Sequence, residues 1–212
     1  MAPPRVHDSE NAPVKTFPRI PALASAFTIL LLVCGCTETA KMKVAPTAFH
    51  VPASSPSQAS RSAALVLDKS FTQHQCEMHL IGGTRVFPLG GPLTQYARDT
   101  AKQLFSQVRE FDSEAAAVDQ ADLILVPHMA RSSLTGPVPF KALLRTEWTV
   151  KDRAGQQTVW LTSVDGTSEV RPGFGAAKKA ERQAWQDAFD QLARKTVEAF
   201  QASPELARQT AK

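Results

Sequence analysis

The chain has 212 residues, a formal charge of +4 and 43 % hydrophobic residues. That length suits one domain of ordinary size. The positive excess is small and no basic run is interleaved with aromatics, so nucleic acid is excluded as the expected partner.

Arg5, Lys15 and Arg19 precede an uncharged stretch from Ala22 to Val33, whose start is marked by Pro21. A basic start, a short apolar core and a small residue at its end are the layout of a secretory signal. The core is about a dozen residues long, short of the ~20 that a membrane-crossing helix needs. It closes with Leu31-Leu32-Val33-Cys34-Gly35-Cys36. This run resembles the lipobox of bacterial lipoproteins, where an aliphatic residue stands three places before the lipidated cysteine and a small residue just before it. Val33, Gly35 and Cys36 fill those places. The resemblance implies signal cleavage between Gly35 and Cys36 and a lipid, palmitate among its chains, on Cys36. Cys34 is the competing cysteine, but it would put the bulky Val33 at the cut. Thr37 follows rather than Asp, which in the resemblance implies the outer membrane, with the protein facing the periplasm. Residues 1–35 carry a net +1, so removing them leaves +3. Cys34 then leaves with the signal, Cys36 is acylated, and the lone Cys76 has no internal disulfide partner.

Residues 36–62 read as a flexible tether, with Pro46, Pro52 and Pro56 among serines and alanines. So little periodic hydrophobicity cannot offset the ordering entropy. The folded domain is expected over 63–202, with a polar tail over 203–212. Ala64-Leu65-Val66-Leu67 is a candidate buried strand. Met78 to Ile81 and Thr84 to Phe87 flank Gly82-Gly83 and predict a hairpin. A helix is expected from Pro92, a residue suited to a first turn. Its apolar stripe is Leu93, Tyr96, Ala97, Thr100, Ala101, Leu104, Phe105 and Val108. The segment from Asp112 to Gln120 predicts a loop with a short helical turn. Leu123 to Val126 predicts a second buried strand, closed by Pro127. Two long strands follow. Leu144, Thr146, Trp148 and Val150 share one face of the first, and Trp160, Thr162 and Val164 one face of the second. Asp152 to Gly155 supplies the turn between them. A last helix over 178–200 has Trp185, Ala188, Phe189, Leu192, Thr196 and Phe200 as its buried stripe.

These elements predict an α+β domain: an antiparallel sheet of four to five strands with two helices on one face. The order, with Ala121-Asp122 opening a strand and an acidic residue and glycine in the turn at Asp152 and Gly155, resembles a group of small envelope domains. The curli-secretion lipoprotein, certain lipoproteins of polymer export and the amino-terminal domain of TolB share that layout. Some members form rings, so the resemblance admits copies of this chain as partners.

Candidate chemistry is thin. His74, Cys76 and His79 are metal-ligand types, but their spacing matches no zinc pattern and no second ligand pair is near. On a strand, His74 and Cys76 share a face and His79 takes the other. Ser132-Ser133 lacks a nucleophile elbow, and Cys76 with His128 is a thiol–imidazole pair only if the fold joins them. Gly82-Gly83 and Gly90-Gly91 lack the spacing of a phosphate loop. No catalytic, cofactor or metal site is expected. Trp148 and Trp160, on neighbouring strands, are core residues or, if exposed together, a ligand or partner face. The sequence therefore points to a non-enzymatic, lipid-anchored envelope protein acting in assembly, export or scaffolding through other envelope proteins. Its alternative is a periplasmic module that binds a glycan or lipid.

Overall fold

The computed structural model describes residues 36–39, 59–80, 83–136 and 138–206. Residues 1–35, where the signal segment and its cleavage at Gly35 are expected, lie outside the described residues, as do 40–58 and 207–212. The described residues form eight strands and four helices: β1 (Cys36–Thr39), β2 (Ala59–Val66), α1 (Lys69–Thr72), β3 (Gln75–Leu80), β4 (Gly83–Pro88), α2 (Gly90–Leu104), β5 (Phe105–Phe111), α3 (Glu114–Ala117), β6 (Leu123–Thr135), β7 (Phe140–Asp152), β8 (Thr158–Val170) and α4 (Ala177–Gln201). No helix among the described residues is long and apolar enough to cross a membrane.

The domain is α+β, but not the single antiparallel sheet expected. A five-stranded sheet runs β5-β2-β6-β7-β8, and β1-β4-β3 form a second. Strand β2 is parallel to both β5 and β6, whereas β6, β7 and β8 are antiparallel. The expected hairpin exists as β3–β4, in the smaller sheet, with Gly83 opposite Leu80; Ile81 and Gly82 lie outside the described residues. A parallel neighbour needs a crossover connection, which the α1–β3–β4–α2 segment supplies between β2 and β5. Buried on both faces, β2 sends Ala63 and Leu65 into the main core and Ala64 and Val66 into a second one. That is why its sequence is a continuous apolar run rather than an alternation.

Both long helices cover the same face of the large sheet. Leu93, Tyr96, Ala97, Thr100 and Ala101 of α2 are buried, as is the whole stripe expected for α4. The opposite face carries a smaller cluster at one end, where Ala117 of α3 meets Ile124, Ala64 and Val66.

Several boundaries differ from expectation. The stretch read as a tether over 36–62 gives Cys36–Thr39 to β1 and its last residues, from Ala59, to β2, because β4 and β5 offer backbone partners that composition does not reveal. The α2 stripe does not continue through Val108; the chain becomes strand β5 at Phe105 and pairs with β2 from Ala59 to Val66. Phe105 and Val108 fit both periods, and the backbone partners that β2 offers decide for the strand. Pro127 does not end β6, which runs on to Thr135. It lies just past Leu125, where the ladder to β2 stops, so its missing N–H costs no bond on that side. The carboxyl end stays packed beyond residue 202: Ser203 and Leu206 are buried, with the Leu206 N–H donating to Ser203 Oγ at 3.3 Å.

Candidate functional site

The tryptophan pair is settled by burial. Trp148 has no exposed surface. Its Nε1 donates to Tyr96 Oη at 2.9 Å, and Phe200 stands edge-on to its ring at 5.4 Å. Trp160 is partly buried and packs on the other side of Phe200, 4.5 Å between ring centres. The two rings therefore form no platform for a ligand; Trp148 shares the inward parity of Leu144 and Val150 and is core.

Around it is a closed polar network. Thr196 Oγ1 donates to Leu192 O at 2.8 Å, so at 2.7 Å it accepts from Tyr96 Oη. Tyr96 in turn accepts from Trp148 and, at 3.2 Å, from Thr146 Oγ1. Burial pushes the Tyr96 phenol up from its ordinary value, which keeps it a donor. This network joins α2, β7 and α4 and satisfies each polar group it buries.

A second cluster lies where β3 meets β6. Asp68 caps α1, its Oδ1 accepting from the Phe71 N–H at 2.8 Å. The chain then turns so that His74 O accepts from Leu89 and Gly90 N–H at 3.0 Å each. This fixes His74 with Nε2 2.8 Å from Ser132 Oγ. Cys76, 3 % exposed, also meets the Ser132 hydroxyl. Burial raises the thiol despite that hydrogen bond and one from the Leu134 backbone. Burial, and then the nearby His128, lower the His74 imidazole. The structure thus brings His74, Cys76 and Ser132 together with His128 near, and leaves His79 on the other side against Thr84 at 3.0 Å. A protonated, buried thiol is a poor nucleophile. No group of three or more His, Cys, Asp or Glu among the described residues could hold a metal ion.

The Ala121-Asp122 pair has a structural task. Asp122 Oδ2 accepts from Ser62 N–H at 2.9 Å and Ser62 Oγ at 2.8 Å, and Ser62 Oγ accepts from the Asp122 N–H at 3.1 Å. These bonds hold the Asp122 carboxyl below the usual carboxylate range and start β6 in register beside β2.

Cys36 opens β1. Its backbone stands opposite Gly83 in a parallel ladder that continues to Thr39 opposite Val86. One residue inside that ladder, Arg85 Nη1 bonds Glu181 Oε2 at 2.5 Å, tying β4 to the first turns of α4. The residue singled out for lipidation therefore lies at the end of the domain where α4 begins.

No family model matches this sequence, and no curated protein does. Among solved structures, a Xanthomonas campestris protein of the DUF330 family is similar, with a TM-score of 0.53 at 12 % identity over 83 % of this chain and 99 % of that one. A minor lipoprotein from Acinetobacter baumannii gives a TM-score of 0.39 at 13 % identity, covering 66 % of this chain and 90 % of that one. PelC from Paraburkholderia phytofirmans, a dodecamer, gives 0.35 at 15 % identity, covering 64 % and 86 %. The first likeness spans most of both chains and shows a shared fold, which does not carry function with it.

Proposed function

We propose that this chain is a bacterial lipoprotein, held in the outer membrane by lipid on Cys36 and facing the periplasm. Its α+β domain acts without catalysis, in envelope assembly, export or scaffolding. Its partners are other envelope proteins or further copies of this chain. The observation that carries this reading is the lipobox-like run from Leu31 to Cys36 at the end of the uncharged stretch that begins at Ala22. Cleavage before Cys36 would make the acylated residue the first of β1, already paired with β4. Several acyl chains on one residue give firm attachment where a single chain gives only marginal binding. The non-catalytic part rests on the His74–Cys76–Ser132 cluster, whose thiol is buried and held protonated. Trp148 is sealed in the core, so the tryptophan pair offers no ligand face.

Radiolabelled palmitate tests the anchor. Label is expected in the wild-type protein and absent from Cys36→Ala. Label that survives the substitution overturns the assignment. Crosslinking in intact cells, followed by identification of the captured protein, tests the partner class; recovery of the uncrosslinked monomer alone would count against it.

A further inference from the structure

We infer that the loop between β8 and α4, with Phe174 at its tip, inserts into the phospholipid bilayer beside the anchor. This rests on the reading of Cys36 as the lipidated residue, and adds how the domain sits on its membrane.

Phe174 is fully exposed, more so than any other large hydrophobic side chain among the described residues. Its setting is Arg171-Pro172-Gly173-Phe174-Gly175, and Gly175 takes a left-handed φ of 70° that turns the chain directly behind the ring. A second exposed apolar residue, Val138 at 73 %, stands in the turn between β6 and β7. Strand register puts the two turns at one end of the sheet: Thr135 pairs with Lys141, and Phe140 with Val170. The anchor is at that end too. Cys36 is opposite Gly83, and Arg85, two residues on, is bonded to Glu181 in the first turns of the helix that follows the loop.

The charge around the loop suits an anionic lipid surface. Arg171, Lys179 and Arg182 are all exposed. The acidic side chains of the same stretch already have cations from other strands: Glu169 pairs with Lys141 at 3.0 Å and Glu181 with Arg85. Basic residues flanking exposed apolar side chains are the arrangement that binds bilayer interfaces, through attraction to anionic headgroups and burial of the apolar tip. A bare protein partner would explain the Phe but not its placement at the end of the domain where Cys36 enters β1.

The test uses a fluorophore on Gly173→Cys, where a side chain meets nothing within 4 Å. The control is Gln156→Cys in the β7–β8 turn, at the far end of a thirteen-residue strand and about 40 Å away. The full-length protein is expressed with its own leader, purified in its processed form and reconstituted in phosphatidylethanolamine–phosphatidylglycerol vesicles containing brominated lipid. About twofold quenching is expected at 173 and none at 156, since interfacial segments sit ~5–10 Å into the headgroup boundary. Phe174→Ser with Val138→Ser should abolish that quenching while the palmitate label and vesicle flotation persist. A floated, acylated protein whose 173 probe is unquenched overturns the inference. Protection of that probe from iodide that grows with protein concentration would also overturn it, by assigning the loop to a second copy. If palmitate labelling fails, the anchor reading falls by itself. Quenching of the unacylated chain on the same vesicles, present or absent, then decides the loop.

Discussion

Strand β8 and α4 pack backbone against backbone at Gly166, and this makes Gly166→Ala a severe substitution. Gly166 stands opposite the buried Leu144. A methyl group there would lie 2.1 Å from Ala188 O, 2.6 Å from Leu192 Cβ and 2.9 Å from Leu192 N. Carbon contacts relax at about 3.5–4.0 Å, so α4 would have to retreat by more than an ångström. None of the three atoms belongs to a flexible side-chain end that could rotate away. The retreat would also strain the bonds from Thr167 N–H to Gln191 Oε1, 2.7 Å, and from Lys195 Nζ to Asp165 O, 3.1 Å. Overpacking costs about 1–3 kcal/mol, and these bonds add about 1 kcal/mol each if lost. We expect a loss of about 3 kcal/mol. At ~2–4 °C per kcal/mol for a domain of this size, the thermal midpoint should fall by roughly 6–12 °C. Urea and thermal unfolding followed by far-ultraviolet circular dichroism measure this. Gly91→Ala is the matched control. It lies in α2 with open space around it, and should gain about 0.5–1 kcal/mol through helix propensity. If Gly166→Ala costs less than about 1 kcal/mol, the close approach is not the constraint described.

Tyr96→Phe removes the hub of the buried network, leaving Trp148 Nε1 without its acceptor. A loss of about 1–3 kcal/mol in urea unfolding is expected, and an unchanged midpoint would refute the network's role. Stability should also fall with acid in two stages. His74 has a folded-state value below its ordinary 6.5, so its contribution is full above that value and lost as the pH falls through it, when the unfolded chain takes up protons first. Asp122 has a depressed carboxyl, so its contribution is present above 3.8 and lost as the pH falls through the lower folded-state value. His74→Gln should flatten the first stage of the urea-midpoint profile; the same slope in the variant would refute the assignment.

What was legible in the sequence was whatever a single element carries by itself. The stripes of α2 and α4 repeat at helical spacing and both had to be buried, and they cover one face as expected. The β7–β8 hairpin alternates from Phe140 to Val150 and back from Trp160, with an irregularity at Val150/Lys151, and Asp152 closes its turn by accepting from Gln156 and Gln157 N–H at 3.0 and 3.1 Å. What was not legible depends on a partner far along the chain. Phe105 to Phe111 continues a helical stripe until β2 offers it a parallel ladder. Pro127 is a strand breaker until the neighbour on its N–H side is known to have ended. Ala64-Leu65-Val66 announces burial, but a run buried on both faces does not state whether its neighbours are parallel. The site divides in the same way. The run from Leu31 to Cys36 that resembles a lipobox is a local pattern, and the sharing of a face by His74 and Cys76 was local too. The exposure of Phe174 is a property of the end of a sheet, and in sequence its glycines read only as a turn.

The edges of the large sheet constrain how partners can be engaged. Strand β8 ends the sheet, and an open edge is a template for strand addition. Here α4 reaches over it: Gln191 takes the Thr167 N–H, and Lys195 takes the Asp165 carbonyl. Both groups are the kind an added strand would have to pair. The outward faces of β7 and β8 carry their own cross-strand ion pairs, Arg145 with Asp165 at 2.6 Å and Lys141 with Glu169 at 3.0 Å. Asp165 is thus held from both sides, and the Arg145 guanidinium keeps its carboxyl below the ordinary range. An incoming strand at the middle of β8 would forfeit these bonds before gaining any. The protein contacts proposed for this domain are therefore made with side chains on its surface, and not by extending the sheet at that edge. Gln191→Ala with Lys195→Ala would expose the edge, and sedimentation should then detect self-association that the wild type does not show through β8.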